Sequence, residues 1–196
     1  MSKAAPAKTA KGKKTAVAAA VEHTQRAHAV LSASGSDRWM NCPGSIRLEA
    51  LAPPESESPY AAWGTQGHEY AEQVLRKQKT VAELPEEFQE VVQKYVDYVL
   101  ALGGTLFIEH RFDLSWLHPN MFGTCDAIVI VGNVMHVVDL KTGQGVKVDA
   151  ENNTQLLYYA LGAYHDYGYL WDIKTIKLHI VQPRIYHYDS WELPAC

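Results

Sequence analysis

The stretch Gly123–Lys141, GTCDAIVIVGNVMHVVDLK, decides how the fold is read. Val131-Gly132-Asn133-Val134 separates two runs of β-branched residues, and Gly-Asn suits a two-residue hairpin turn. If Val131 faces Val134, Asp126 falls opposite Asp139. Side chains alternate along a strand, so Lys141 shares the face of Asp139. Directly opposed residues have Cβ atoms about 5 Å apart, and like charges so placed repel. A cation between the two carboxylates removes the conflict, so the pairing predicts a metal site.

Working outward, 196 residues suit one domain with a sizeable core, and 47% hydrophobic content is ordinary for a globular chain. No apolar run reaches the ~20 residues that span a bilayer, and the N-terminal stretch lacks the compact apolar segment of a secretory leader. Cys42, Cys125 and Cys196 are scattered, without Cys-x-x-Cys spacing, which argues against a disulfide framework or a zinc site and makes the cytoplasm the expected compartment. Charge is uneven. Residues 1–30 hold Lys3, Lys8, Lys11, Lys13, Lys14 and Arg26 against Glu22, a net of +5, while the rest of the 18 basic and 22 acidic residues leaves −9. Residues 1–29 therefore read as a basic Ala/Lys-rich arm, either a solvated tail or a non-specific hold on nucleic acid, ahead of a domain at 30–196.

Within that domain a turn into a short helix is expected over Ser32–Trp39, with Ser34, Ser36 or Asp37 as cap, and a second short helix at 43–51. Longer helices are expected at 60–78 and from Pro85 to about Leu102, where Phe88, Val91, Val92, Tyr95, Val99 and Leu102 recur at helical spacing and Gly103-Gly104 stops the run. Strands follow at 105–113, 124–131 and 134–140, then a helix at 149–167 capped by Asp149 and closed by Gly168, then a strand at 174–182.

Four features converge on one spot. Asp126 and Asp139 offer the oxygen ligands that Mg²⁺ and Mn²⁺ prefer. Lys141 beside them can orient an attacking water or stabilise charge on a phosphate oxygen. His68 and Glu72 share a helix face at i, i+4, and both could point at a metal. Gln155 and Tyr159 are likewise i, i+4, on the helix after the Asp/Lys strand, and can face the site to contact phosphate or a base. No Walker loop, Rossmann glycine fingerprint or Gly-x-Ser-x-Gly elbow competes.

These residues resemble the PD-(D/E)XK nuclease superfamily, whose motif is an acidic residue on one strand and Asp/Glu-x-Lys on the next; the matches are Asp126 and Asp139-Leu140-Lys141. The chain is most similar to the RecB-like and lambda-exonuclease-like branch, which adds Gly-x-x-x-His (Gly64 to His68) and Gln-x-x-x-Tyr (Gln155 to Tyr159). Ser32-Ala-Ser34, Arg38-Trp39, Cys42-Pro43-Gly44-Ser45 and the run after Asp139 resemble an uncharacterised phage and prophage nuclease family of that branch, over about residues 30–185. The resemblance implies an α/β restriction-endonuclease-like core, with a mixed central sheet flanked by helices. It implies Mg²⁺ or Mn²⁺ held by His68, Asp126, Asp139 and the Leu140 backbone carbonyl, with Glu72 as a geometric addition. Lys141 would serve the attacking water, and Gln155 and Tyr159 would line the DNA path. The implied activity is hydrolysis of DNA phosphodiesters, foremost as an exonuclease on linear duplex ends in phage recombination or DNA processing. An endonuclease on the same site and a non-cutting DNA-binding module are the alternatives. DNA is the implied partner, a single-strand annealing protein or a second copy of the chain further ones. Longer relatives hold an iron–sulfur cluster starting at the position of Cys42, but no C-terminal run of cysteines follows here, so no cluster is expected and the domain reads as a compact or truncated form.

Overall fold

In a computed structural model, the described residues are 29–53 and 58–195. The basic arm, apart from Ala29, and Cys196 lie outside them. Helices α1 (Ser36–Asn41), α2 (Ser45–Leu51), α3 (Pro59–Leu75) and α4 (Glu86–Ala101) precede strands β1 (Thr105–Asp113), β2 (Phe122–Val131) and β3 (Val134–Leu140). Helix α5 (Thr154–Tyr167), β4 (Thr175–Gln182) and β5 (His187–Pro194) follow, with single 3₁₀ turns at Val81–Glu83 and Pro183–Ile185. The strands form one sheet in the order β1-β2-β3-β4-β5, in which β3 and β4 are parallel and all other neighbours antiparallel. The α/β class with a mixed sheet flanked by helices is the architecture expected from the sequence.

The hairpin forms in the predicted register, with Val131 opposite Val134 and Ala127 opposite Val138. Gly132 takes φ +59°, a value open to glycine at the first position of a tight hairpin turn. Because β2, β3 and β4 are covered on both sides, their sequences are near-continuous apolar runs. One face buries Ile128, Ile130, Met135, Val137, Leu178 and Ile180 against Leu156, Ala160 and Ala163 of α5. The other buries Ala127, Val129, Val138, Leu140 and Val181 against Val92, Tyr95 and Val99 of α4 and Ala71 of α3. Since β3 and β4 are parallel, α5 is the crossover between them, and its first turn lies beyond the carboxyl end of β3.

Three expectations are corrected. Helix α5 starts at Thr154, not 149: Asn153 is its cap, accepting from Leu156 N–H at 3.1 Å, while Asp149 pairs with Lys147. Asn152 at φ +56° breaks the helical path between the two. The short helices differ from expectation: α1 is preceded by Gly35 and lacks a side-chain cap bond, and α2 begins at Ser45 rather than Pro43. Finally, β5 was not expected. Its alternation of half-buried and exposed residues suits an edge strand.

A polar chain lies in the sheet at β3 and β4. His136 Nδ1 is 2.9 Å from His179 Nε2, and His179 Nδ1 is 2.9 Å from the Tyr98 hydroxyl. Two facing ring nitrogens at that distance need one N–H and one lone pair, so the pair cannot be doubly protonated. Burial, with His136 and Lys177 nearby, lowers the His179 pKa to about 4. The fold thus holds His179 neutral while the unfolded chain takes up a proton near the ordinary 6.5. The resulting stability is complete above pH 6.5 and is lost as pH falls towards 4, a difference of about 3 kcal/mol. Urea midpoints at pH 7 and pH 4.5 test this. His179→Gln should lose less stability across that interval than wild type, and an equal loss would reject the account.

Candidate metal centre

The site lies where β1, β2 and β3 run side by side. Asp126 follows Cys125, opposite His110, and precedes Ala127, opposite Ile108, so its neighbour on β1 is Glu109. Glu109 has φ +49°, a left-handed backbone uncommon for a side chain of its kind. Alternation slips at this point on both strands. Phe107 and then Phe112 of β1 reach the α5 face, as do Cys125 and then Ile128 of β2. The slip re-aims Glu109 and Asp126 towards α3, which supplies His68.

His68 Nδ1 lies 3.2 Å from Asp126 Oδ1. Ligand atoms of His68, Glu109 and Asp126 all lie within 4.8 Å of one another, a spacing that can hold a cation. Asp126 Oδ2 accepts the Leu140 N–H at 2.7 Å, so the carboxylate takes up a backbone donor where the β2–β3 ladder stops. Burial opposes charge on His68, but Asp126, Asp139 and Glu109 outweigh it and raise its pKa to about 9. For Asp126, burial is outweighed by His68, the Leu140 amide and Lys141, and its pKa falls below the usual carboxylate range.

Asp139 and Lys141 form the adjoining part. Lys141 Nζ sits 2.9 Å from Asp139 Oδ2 and donates to Gln155 Oε1 at 2.6 Å. Gln155 Nε2 bonds Asp139 Oδ1 and the Tyr159 hydroxyl, each at 3.0 Å. Gln155 is therefore the hub that fixes carboxylate, ammonium and phenol relative to one another. Burial and the charge of Asp126 push the Asp139 pKa up, against the pull of Lys141. Burial opposes the charge of Lys141, yet Asp139 holds its pKa above the ordinary lysine value. Asp139 Oδ2 is buried and ion-paired with the Lys141 ammonium at 2.9 Å, with no further hydrogen-bond donor among the described residues. The buried Tyr95 hydroxyl, under the same electrostatic influence of Asp126 and Glu109, has no hydrogen-bond partner among them.

The structure thus places His68 with Asp126 and, beside them, Asp139 with Lys141, Gln155 and Tyr159. Glu72 is turned elsewhere: its Oε1 is 2.9 Å from Arg76 Nε, and Arg76 also donates to the Ile108 carbonyl. The third acidic residue near His68 is Glu109, which sequence reasoning missed. A β1–β2 register, had one been fixed, would have put Glu109 beside Asp126. The donor set of one imidazole and several carboxylates fits a hard divalent cation.

Among the described residues no helix is long and apolar enough to cross a membrane. Among solved structures, one described as "Crystal structure of SSO0001" is similar at 13% identity, over 81% of this chain and 77% of that one, with a TM-score of 0.26. A likeness that faint carries no argument about this site. A family model described as "Protein of unknown function (DUF2800)" matches residues 28–196. The chain therefore belongs to the DUF2800 family.

Proposed function

We propose that this chain is a metal-dependent deoxyribonuclease of the PD-(D/E)XK type, most at home as an exonuclease on linear duplex DNA. The observation that carries the reading is the joining of two groups: His68, Glu109 and Asp126 within 4.8 Å, and the buried Asp139–Lys141 pair fixed by Gln155. His68, Asp126, Asp139 and the Leu140 carbonyl, with Glu109 in place of Glu72, are the proposed ligands of Mg²⁺ or Mn²⁺. When bound, such an ion neutralises charge on a scissile phosphate and favours ionisation of the attacking water. An ammonium has three donors, and Asp139 and Gln155 engage two directions of Lys141. The third is left for the attacking water or a phosphate oxygen. Tyr159 holds Gln155, and through it the orientation of Lys141. Water adds to phosphorus, the P–O bond to the leaving nucleotide breaks, and the departing oxygen takes up a proton.

The test is an end-labelled linear duplex beside closed circular DNA of the same sequence, with Mg²⁺, Mn²⁺ or EDTA. Expected is metal-dependent loss of the linear substrate with the circle spared. Cleavage of the circle would assign an endonuclease to the same residues. Binding of DNA without cleavage under either metal would reject the enzymatic reading in favour of a DNA-binding module.

A further inference from the structure

The segment after Lys141 is braced from three directions, and two of the braces meet at Thr142. From α3, Gly64 and Gly67 form a notch for its side chain: a Cβ on Gly64 would lie 3.0 Å from Thr142 Oγ1, and one on Gly67 would lie 3.1 Å from Thr142 Cγ2. From the 3₁₀ turn after β4, Arg184 Nη1 donates to the Thr142 carbonyl at 3.3 Å. With the Gln144 amide turned so that its oxygen faces the guanidinium, that oxygen accepts from Arg184 Nε at 2.6 Å and from Nη2. The guanidinium also lies over the Trp63 ring, 4.2 Å from its centroid, and Trp63 stacks on Phe88 of α4 at 4.5 Å. Beneath the loop, the buried Gln182 amide donates to the carbonyls of Gly143 and Val146 at 3.0 and 2.8 Å.

The result is a closed circuit: α3 through Trp63 to Arg184, Arg184 to Thr142, and Thr142 back to α3 at Gly64 and Gly67. His68 lies one residue after Gly67, and Lys141 one residue before Thr142. We propose that Arg184 is a positioning residue for the metal centre, fastening α3 to the end of β3 and so setting how closely His68 approaches the carboxylates. This rests on reading the site as metal-binding. A planar guanidinium suits the role, because it stacks on an indole with its faces while its edge bonds two acceptors, which an ammonium cannot do together.

The readout is the Mn²⁺ affinity of the full chain, measured by calorimetry without DNA, with circular dichroism as a check on folding. Arg184→Ala should weaken Mn²⁺ binding by about tenfold to a hundredfold, the range for residues that orient metal ligands, and Arg184→Lys should recover little of it. Gly67→Ala should weaken binding through the crowded notch, and adding Thr142→Ala should restore it. That pair decides the matter if Arg184→Ala does not fold. Unchanged Mn²⁺ affinity with weaker DNA binding in Arg184→Ala would overturn the proposal and assign the guanidinium to a phosphate contact. Failure of Thr142→Ala to rescue Gly67→Ala would overturn it as well. Absence of Mn²⁺ binding in the wild type would overturn both this proposal and the metal reading beneath it.

Discussion

Asp126→Asn is expected to lower DNA cleavage by on the order of a thousandfold while leaving the fold in place. Asparagine has nearly the same shape, and its side-chain oxygen can still accept the Leu140 N–H that Asp126 Oδ2 accepts at 2.7 Å. What disappears is the negative charge. A cation at His68, Glu109 and Asp126 would lose one of its two carboxylates there, and stabilisation of transition-state charge by such an ion amounts to several kcal/mol, at about 1.4 kcal/mol per factor of ten. The same change shows without metal. Asp126 is the strongest of the groups that raise the His68 pKa to about 9, so in EDTA the variant's His68 should titrate lower by NMR. Urea midpoints and cleavage rates across a Mn²⁺ series complete the measurement. Undiminished cleavage by the folded variant would remove Asp126 from the site.

How much of this was legible in the sequence varied with what fixes each contact. The hairpin register was readable because a two-residue turn at Gly132-Asn133 leaves one pairing that buries both runs of Val and Ile. Lys141 on the face of Asp139 followed from strand alternation alone. Glu109 was not readable, for two physical reasons. The segment between β1 and β2, residues 114–121, is too long to pin a register as a tight turn does. A left-handed backbone at residue 109 also moves the side chain off the face its position in the strand would give. The i, i+4 argument chose the correct side of α3 for His68 but could not foresee Arg76, one turn after Glu72, competing for that carboxylate. Asp149 is an acceptable cap by residue type, but the left-handed turn at Asn152 breaks the path and Asn153 caps the helix instead. Strand β5 escaped notice because HYDSWELP carries polar residues and a proline, tolerated at a sheet edge but poor as a central-strand signal.

Gly162→Ala should damage the scaffold that carries the site. On propensity alone it would help, since alanine in a helix interior is favoured over glycine by about 1 kcal/mol. Here the new Cβ would stand 2.5 Å from Cγ and 2.9 Å from Cε2 of Phe112, well inside contact distance. Phe112 is 2% exposed, packs edge-on to Tyr159 at 5.8 Å, and leaves only 3.2 Å to a Cβ built on Gly123. With glycine on both sides of it, the ring has no free direction to yield, so α5 must move away from the sheet. Overpacking of this kind costs about 1–3 kcal/mol, and the clash lies at the upper end, giving a net loss of about 2 kcal/mol and a Tm lower by roughly 4–8 °C. Helix α5 also carries Gln155, whose bonds to Asp139 and Lys141 at 3.0 and 2.6 Å depend on its height above the sheet, so cleavage should fall with stability. Phe112→Leu makes room for the added methyl group. In a double-mutant cycle of thermal unfolding, the pair should therefore be more stable than the sum of the single losses by about 1 kcal/mol or more. A Tm of Gly162→Ala at or above wild type would show that α5 has slack over the sheet, and that Gln155 is held by its hydrogen bonds and not by the packing beneath it.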